Sequence, residues 1–527
     1  MKKTLPPLKG LLGCAFAGTI YTFGLAPLAL WPLSILGMAV LCFTLVKNPG
    51  ESIHAFIFGL CLFGTGASWV FVSIHVYGYT SVPMAALLTA CFVIGLAIVF
   101  WLPFYLYSRF LHIQPIQHLL AFPCCWVLGE WSRSWFLTGF PWLYAGYAGI
   151  DTWLAGWAPV FGVWGLSFFM SLSATALALL VGYSGQRKNG DKISTTVFFD
   201  RRSILCLVIL APYSTGVALS RIEWTHASTD STAIKSTVIQ ANIPQEKKWV
   251  PAYREPIKTL YTQLTAPFWG DELIIWPEAA IPQIYNEALP WLTSMHHRAE
   301  TSKSVILTGI PSAWPGSAGY IYHNSIVGLG IHAPALDHQQ QGAIYHKQRM
   351  VPFGEYLPLE TLLRGLIDFF SLPVAQFSSG PANQSLLDIG NQLTAAPFIC
   401  YEIVYPDLVA NATRNADLMV TISNDSWFGK SWGPLQHLQM ARMRALENGR
   451  YLIRGTNNGV SAFIDPKGNI LAKTDQFVEA TLTRNVYAMR GDTPYQNWKS
   501  WPVLLFSGLA LLGLLVKQNC FYSQQKA

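Results

Sequence analysis

The sequence predicts a polytopic α-helical membrane region of about eight spans, interrupted near its C-terminal end by one layered α/β domain. Three observations lead there. Of 527 residues, 52% are hydrophobic and 12% are charged, about half the charge of a typical soluble protein. The apolar residues are concentrated, with long runs from Leu8 to Leu219 and a last one from Pro502 to Val516. Between these runs, a stretch of ordinary globular composition alternates short strand-like and helix-like pieces. This distribution excludes disordered and fibrous classes and an ordinary cytosolic enzyme.

Runs near 20 residues with few charges can cross a hydrocarbon core about 30 Å thick. Spans are therefore expected at roughly 8–24, 26–46, 53–74, 83–108, 115–132, 157–183, 203–220 and 499–516. The fifth carries Glu130 and Arg133 at its end. The first two, joined by Gly24, Leu25, Ala26 and Pro27, have a short hairpin as their alternative. The domain reading is thus a transmembrane region at 1–220, a globular domain at 221–498, and a final span with a tail at 499–527.

Charge sets the orientation. With the N-terminus in the cytoplasm, that side receives Lys2, Lys3, Lys9, Lys47, Arg109, the cluster Arg187, Lys188, Lys192, Arg201 and Arg202, and finally Lys517 and Lys526. The opposite loops hold Arg133, with Arg221 at a boundary. This positive-inside bias puts both termini in the cytoplasm and 221–498 on the other side. The net charge of +7 is then topological, since no basic run interleaved with aromatics marks nucleic-acid binding. Lys2 and Lys3 ahead of Leu11, Leu12, Gly13 and Cys14 imitate a lipid-attachment signal. The apolar run before Cys14 is too short for a signal core, so an uncleaved first helix is expected. Trp131, Trp135, Trp142, Tyr144 and Tyr147 suit rings at a membrane surface, or the wall of a lipid-accessible cleft.

Of nine cysteines, Cys400 alone lies in the globular segment. Outside the cytoplasm it has no domain partner for a disulfide, which leaves an inert core thiol or a reactive one. Leu393 to Cys400 reads as a buried strand, and Tyr401 to Asn411 leads into a helix-like run. Amide dipoles at such a junction favour the thiolate, whereas Glu402 and Asp407 oppose it. Further strands are expected from Thr237, Glu272, Ser304, Asn324, Ala343 and Asp417. A helix is expected over His437–Asn448, with Gly449 as its stop.

Three polar groups punctuate these apolar strands. Glu278 follows Ile275, Trp276 and Pro277, where a desolvated carboxyl becomes proton-avid. Lys347 follows Tyr345 and His346, ahead of the segment Val351 to Pro358. Cys400 is the third. Singly, each has an ordinary alternative: a helix-capping acid, a surface lysine, a core thiol. As an ordered set, W-P-E-A-A, H-K with V-P-F-G-E, and C-Y-E resemble the nitrilase, or carbon–nitrogen hydrolase, superfamily over about residues 235–490. With seven hydrophobic segments before it and one after, the whole chain resembles the bacterial apolipoprotein N-acyltransferase family.

The resemblance implies an αββα sandwich and acyl transfer through a covalent intermediate, which needs a nucleophile, a base and oxyanion stabilisation. It makes Cys400 the nucleophile and Glu278 the base. Lys347 and the backbone N–H of Tyr401 would steady the oxyanion, Glu355 would position Lys347, and Glu402 would support them. The implied donor is a membrane phospholipid, phosphatidylethanolamine at its sn-1 position. The implied acceptor is the α-amine of a diacylglyceryl-cysteine at an apolipoprotein N-terminus. No cofactor, metal or nucleic acid is implied, and the setting is the bacterial inner membrane with the catalytic domain periplasmic. Trp249, Phe369, Phe370 and Trp427 are candidates for the substrate entrance, with a flap expected within Leu362 to Phe377. The alternative for each aromatic is a core position.

Other motifs fail. Phe428, Gly429, Lys430 and Ser431 mimic the end of a phosphate loop, but Asn424 stands where its first glycine belongs. His332 with His338, and His296 with His297, lack zinc spacing. The competing readings are a membrane-tethered amidase, which would need one anchor, and a transporter, for which the apolar runs offer few intramembrane charges.

Overall fold

Strand residues fall where apolar side chains alternate between two environments, and in the computed structural model two sheets result. It describes residues 8–111, 113–185, 201–228, 233–316, 319–330, 344–352, 354–356 and 377–526. The chain divides into two compact units, Met1–Glu223 with Trp498–Ala527, and Trp224–Asn497.

The second unit carries strands β1 (His226–Ala227), β2 (Ile234–Gln240), β3 (Leu273–Ile275), β4 (Val305–Gly316), β5 (Gly319–Gly330), β6 (Ile344–His346) and β7 (Leu387–Asp388). It continues with β8 (Thr394–Ile399), β9 (Leu418–Ser423), β10 (Leu452–Thr456), β11 (Ala462–Ile464), β12 (Ile470–Lys473), β13 (Ala480–Val486) and β14 (Met489–Arg490). The described residues form a six-stranded sheet in the order β13-β2-β3-β4-β5-β6, another in the order β12-β11-β10-β9-β8-β7, and a short β1-β14 pair. Each large sheet has a parallel centre, β2-β3-β4 and β8-β9-β10, with antiparallel flanks.

Successive residues of a strand face opposite sides, and the core follows that rule. Leu273 and Ile275 join Val238, Val305 and Leu307 in one cluster with Ile399, Leu418, Val420, Ile422 and Ile453 of the other sheet. Ile274 and Ile306 point the other way, onto Ile257 and Tyr261 of helix Arg254–Thr265 and Leu292 and Met295 of helix Tyr285–Thr301. The result is sheet packed on sheet with helices outside. Helix Gly433–Asn448 starts four residues before the expected point and ends at Gly449, whose φ of 58° gives the left-handed stop.

The first unit is helical. Among the described residues four helices are long and apolar enough to cross a membrane: Val82–Phe110, Trp153–Gly182, Arg201–Leu219 and Trp501–Gln518. A fifth arises if Ile53–Gly66 and Val70–Tyr77, bent by 56°, count as one span. The expectation of about eight is corrected on length. Leu8–Phe23 and Trp31–Lys47 have 16 and 17 residues, and His118–Ser132 has 15; at 1.5 Å per residue they fall short of about 30 Å. Apolar composition marked these helices correctly, but not their length.

The aromatic loop also departs from expectation. Trp142, Tyr144 and Tyr147 are buried, whereas Trp135 is exposed. A buried polar group organises them. Glu130 accepts hydrogen bonds from Trp126 Nε1 (2.8 Å) and Ala145 N (2.6 Å), and Arg133 donates to the Trp142 carbonyl (2.9 Å) while its guanidinium lies over Phe63 and Tyr144. These two charges at the end of the fifth segment are thus internal groups, and the rings around them pack rather than anchor.

Candidate active site

Glu278 leaves β3 at a sharp turn in which Ala279 has φ 45°. The turn packs directly on β4, where the Gly309 N–H donates to the Pro277 carbonyl at 3.2 Å. A Cβ on Gly309 would lie 2.6 Å from Glu278 Cα, Ala279 N and Pro277 O, which is the physical reason for glycine there. The Glu278 carboxylate is almost fully buried. Oε1 accepts from Asn324 Nδ2 at 2.7 Å, and Oε2 from the Asn424 backbone N–H at 2.8 Å.

Lys347 follows β6, which is only three residues long; the expected strand beyond it is a loop. Its Nζ is buried and donates to Glu355 Oε1 at 2.8 Å and Glu278 Oε1 at 3.5 Å. Asn324 Nδ2 also reaches Glu355 Oε1 at 3.1 Å, so one amide bridges both carboxylates. Burial alone would lower the Lys347 ammonium, but Glu355 and Glu278 outweigh it and hold the group above its ordinary value. It is a permanent cation.

Cys400 directly follows β8 with φ 52°, a left-handed conformation uncommon outside glycine. The residue is partly exposed, while its thiol is desolvated, hydrogen-bonds Ser423, and feels the charges of Glu278, Lys347 and Asp425. Burial and then Glu278 push it well above an ordinary thiol, with Lys347 pulling back. The expected lowering by amide dipoles therefore does not prevail: desolvation and a neighbouring acid are stronger, and the resting group is a neutral thiol.

Glu402 turns inward as a bracket between the two sheets' loops. It accepts from Ile399 N (2.7 Å), Gln348 N (2.6 Å) and Tyr345 OH (2.9 Å), tying the Cys400 turn to the Lys347 segment. Tyr401 is buried with its ring edge-on to Tyr405. Trp249 and Trp427 are 47% and 44% exposed, so the core alternative does not hold for them. They ride on loops joined by a 2.8 Å bond from Asn424 Nδ2 to Gln245 Oε1. Phe369, Phe370 and the expected flap, apart from Phe377, lie outside the described residues, as do His332 and His338. Among the described residues no His, Cys, Asp or Glu cluster could hold a metal ion.

Three contributors carried no sequence signal that we read. Asn324 sits mid-strand, Lys248 looks like a surface lysine, and His437 sits in a helix. Yet Lys248 is buried with Nζ 3.0 Å from the Glu278 carbonyl, and burial lowers it to about 8 despite Glu278. A Gln-Glu-Lys-Lys helix start right after β2 was the available hint.

Comparisons with known proteins bear on the family. Residues 17–176 match the family described as apolipoprotein N-acyltransferase N-terminal domain, and residues 237–495 match carbon-nitrogen hydrolase. The chain is 41% identical over 98% of its length to an apolipoprotein N-acyltransferase of Pseudomonas syringae, covering 99% of that protein. It is 42% identical over 97% of its length to those of Pseudomonas aeruginosa and Azotobacter vinelandii, covering 96% and 95% of them. With buried Glu278 and Lys347 in contact, Glu355 beside Lys347, Cys400 in their field, and this similarity running nearly end to end, the chain belongs to the apolipoprotein N-acyltransferase family.

Proposed function

We propose that this enzyme moves an acyl chain from a membrane phospholipid to the N-terminal amine of a diacylated apolipoprotein, through a thioester on Cys400. The observation that carries the reading is the buried Lys347 ammonium, 2.8 Å from Glu355 and 3.5 Å from Glu278, facing a neutral thiol on a left-handed turn. Such a thiol needs its proton removed as it attacks, and Glu278 is the acid that acts on it most strongly.

In the first half-reaction, Cys400 Sγ bonds to the ester carbon while Glu278 takes the thiol proton. The tetrahedral oxyanion is balanced by Lys347 and the Tyr401 N–H. Collapse breaks the ester C–O bond, and the Glu278 proton passes to the departing lysophospholipid. In the second half, the apolipoprotein amine attacks the thioester carbonyl and a C–N bond replaces the C–S bond. Glu278 takes a proton from the attacking nitrogen and returns it to sulfur. Glu355, bonded to Lys347 and Val351 N, keeps the ammonium in place. A phosphatidylethanolamine sn-1 chain is the donor we favour, with the product a triacylated lipoprotein.

The setting follows from apolar surface. Leu87, Ile94, Ile98 and Leu102 on Val82–Phe110, and Leu8, Leu12 and Phe16 on Leu8–Phe23, are exposed, which costs about 25 cal/mol per Å² in water and nothing in lipid. We place the shorter apolar helices in the bilayer with the long ones. We propose an inner-membrane setting with the catalytic domain periplasmic and both termini cytoplasmic, an orientation the Lys/Arg bias supports. Exposed Trp249 and Trp427 line the entrance in this reading.

The test is transfer of radiolabelled acyl chains from phosphatidylethanolamine to a diacylated lipopeptide by purified enzyme. Cys400→Ala and Cys400→Ser should lose on the order of 10³-fold or more while keeping the wild-type melting profile. Donor without acceptor should give a hydroxylamine-labile acyl adduct by intact mass, and Glu278→Gln should slow its formation. Near-normal transfer by either Cys400 variant, or no adduct, overturns the mechanism.

A further inference from the structure

Behind the Cys400 turn lies a closed polar cluster that the acyl-transfer steps above do not use. His437 Nε2 is 3.1 Å from the Cys400 carbonyl oxygen. A carbonyl only accepts, so Nε2 carries the proton and donates. The other ring nitrogen, Nδ1, is 3.1 Å from Arg454 Nη2, a group that only donates, and 3.4 Å from Asp425 Oδ1. Arg454 Nη2 also donates to Asp425 Oδ2 at 2.7 Å, and Ser423 Oγ to Asp425 Oδ1 at 2.5 Å. All four side chains are buried. Burial and Arg454 hold the imidazole below its ordinary value, and although burial opposes it, Arg454 holds the Asp425 carboxyl low. The imidazole is therefore neutral with a fixed tautomer, donating through Nε2 and accepting at Nδ1.

The carbonyl that His437 holds belongs to the same rigid, planar peptide unit as the Tyr401 N–H. Fixing the oxygen on one side fixes the direction of the N–H on the other, and a donor on the oxygen polarises the amide so that its N–H donates more strongly. The residue that precedes this unit is Cys400 itself, in a left-handed conformation that the surroundings must maintain. We infer that His437 is a positioning residue for acylation: with Asp425 and Arg454 setting its tautomer, it orients the Cys400–Tyr401 peptide so that the Tyr401 N–H meets the oxyanion. This rests on the proposed thioester route.

The experiment uses the full-length enzyme in phosphatidylethanolamine mixed micelles and two polar replacements. Gln places an amide N–H where imidazole has Nε2, so His437→Gln keeps a donor for the Cys400 carbonyl. Asn reaches only the Nδ1 side, so His437→Asn keeps a partner for Arg454 and loses that donor. Acyl-adduct formation, in a single turnover without acceptor, should fall about 10- to 100-fold in His437→Asn, a fraction of the loss for deleting an oxyanion donor outright. His437→Gln should stay within about fivefold of wild type, and the donor KM should hold within about twofold in both. Alkylation of Cys400 by iodoacetamide, a displacement that forms no oxyanion, should hold within about threefold. Equal acylation rates in both variants, or parallel loss of acylation and alkylation in His437→Asn, overturns the inference, the second outcome assigning His437 to structure alone. An absent adduct in wild-type enzyme overturns the thioester route instead.

Discussion

At Glu402 the charge of one buried carboxyl is set by opposing forces. Burial is the larger and pushes it up to about 7 against the Ile399 and Gln348 amides, Lys347 and the Tyr345 hydroxyl. The folded protein thus holds this proton more tightly than an unfolded glutamate with a pKa of about 4.3. The sign follows: the stabilisation is complete below about pH 4.3, declines as pH rises, and is gone above about pH 7. A span of about 2.5 units corresponds to about 3 kcal/mol. Glu402→Gln cannot titrate, so wild-type stability minus variant stability should shrink by up to that amount between pH 4.5 and 8. Thermal unfolding of both proteins across that range checks it, and a flat difference would show the carboxyl ionised throughout. Glu278, Lys347 and Cys400 were legible in sequence because each carries a short, distinctive context. Asn324, Lys248 and His437 were not, since each is defined by a partner dozens of residues away.

Among the elements, the β3 and β4 strand ends do most to shape the site, because the Glu278 turn sits against β4 backbone with no space for a methyl group. Gly309→Ala would drive a Cβ to 2.6 Å from three backbone atoms, none of which belongs to a flexible side chain. The turn must move, and with it the carboxylate that Asn324 and Asn424 hold. The expected result is about 1–3 kcal/mol of destabilisation together with at least tenfold slower acyl-adduct formation; unchanged adduct kinetics would show that the turn tolerates displacement. Long apolar strands such as β4, β8 and β9 were readable because both of their faces are buried. The edge strands β12 and β13 were passed over for a physical reason. In Ile470–Lys473 and Ala480–Val486 exposed residues alternate with half-buried ones, so their pattern is weak without the sheet partner that completes it.

At the scale of the whole molecule, composition announced two kinds of chain but overstated the number of spans, since hydropathy does not report where a helix bends or stops. Ile53–Gly66 and Val70–Tyr77 are one apolar run in sequence and two helices at 56° in space. Orientation, in contrast, depends on where lysines and arginines fall, not on helix count parity alone. In the proposed topology the acyl-transfer unit is periplasmic and the end of Trp501–Lys526 cytoplasmic. Lys467 and Lys517, one in each region, are both exposed. In a background with Cys91, Cys206, Cys400 and Cys520 replaced by serine, Lys467→Cys should react with a membrane-impermeant maleimide once the outer membrane is permeabilised. Lys517→Cys should react only after lysis. The reverse pattern would put the thiol chemistry on the cytoplasmic face, where the proposed acceptor, a lipoprotein already carried across the membrane, could not meet it.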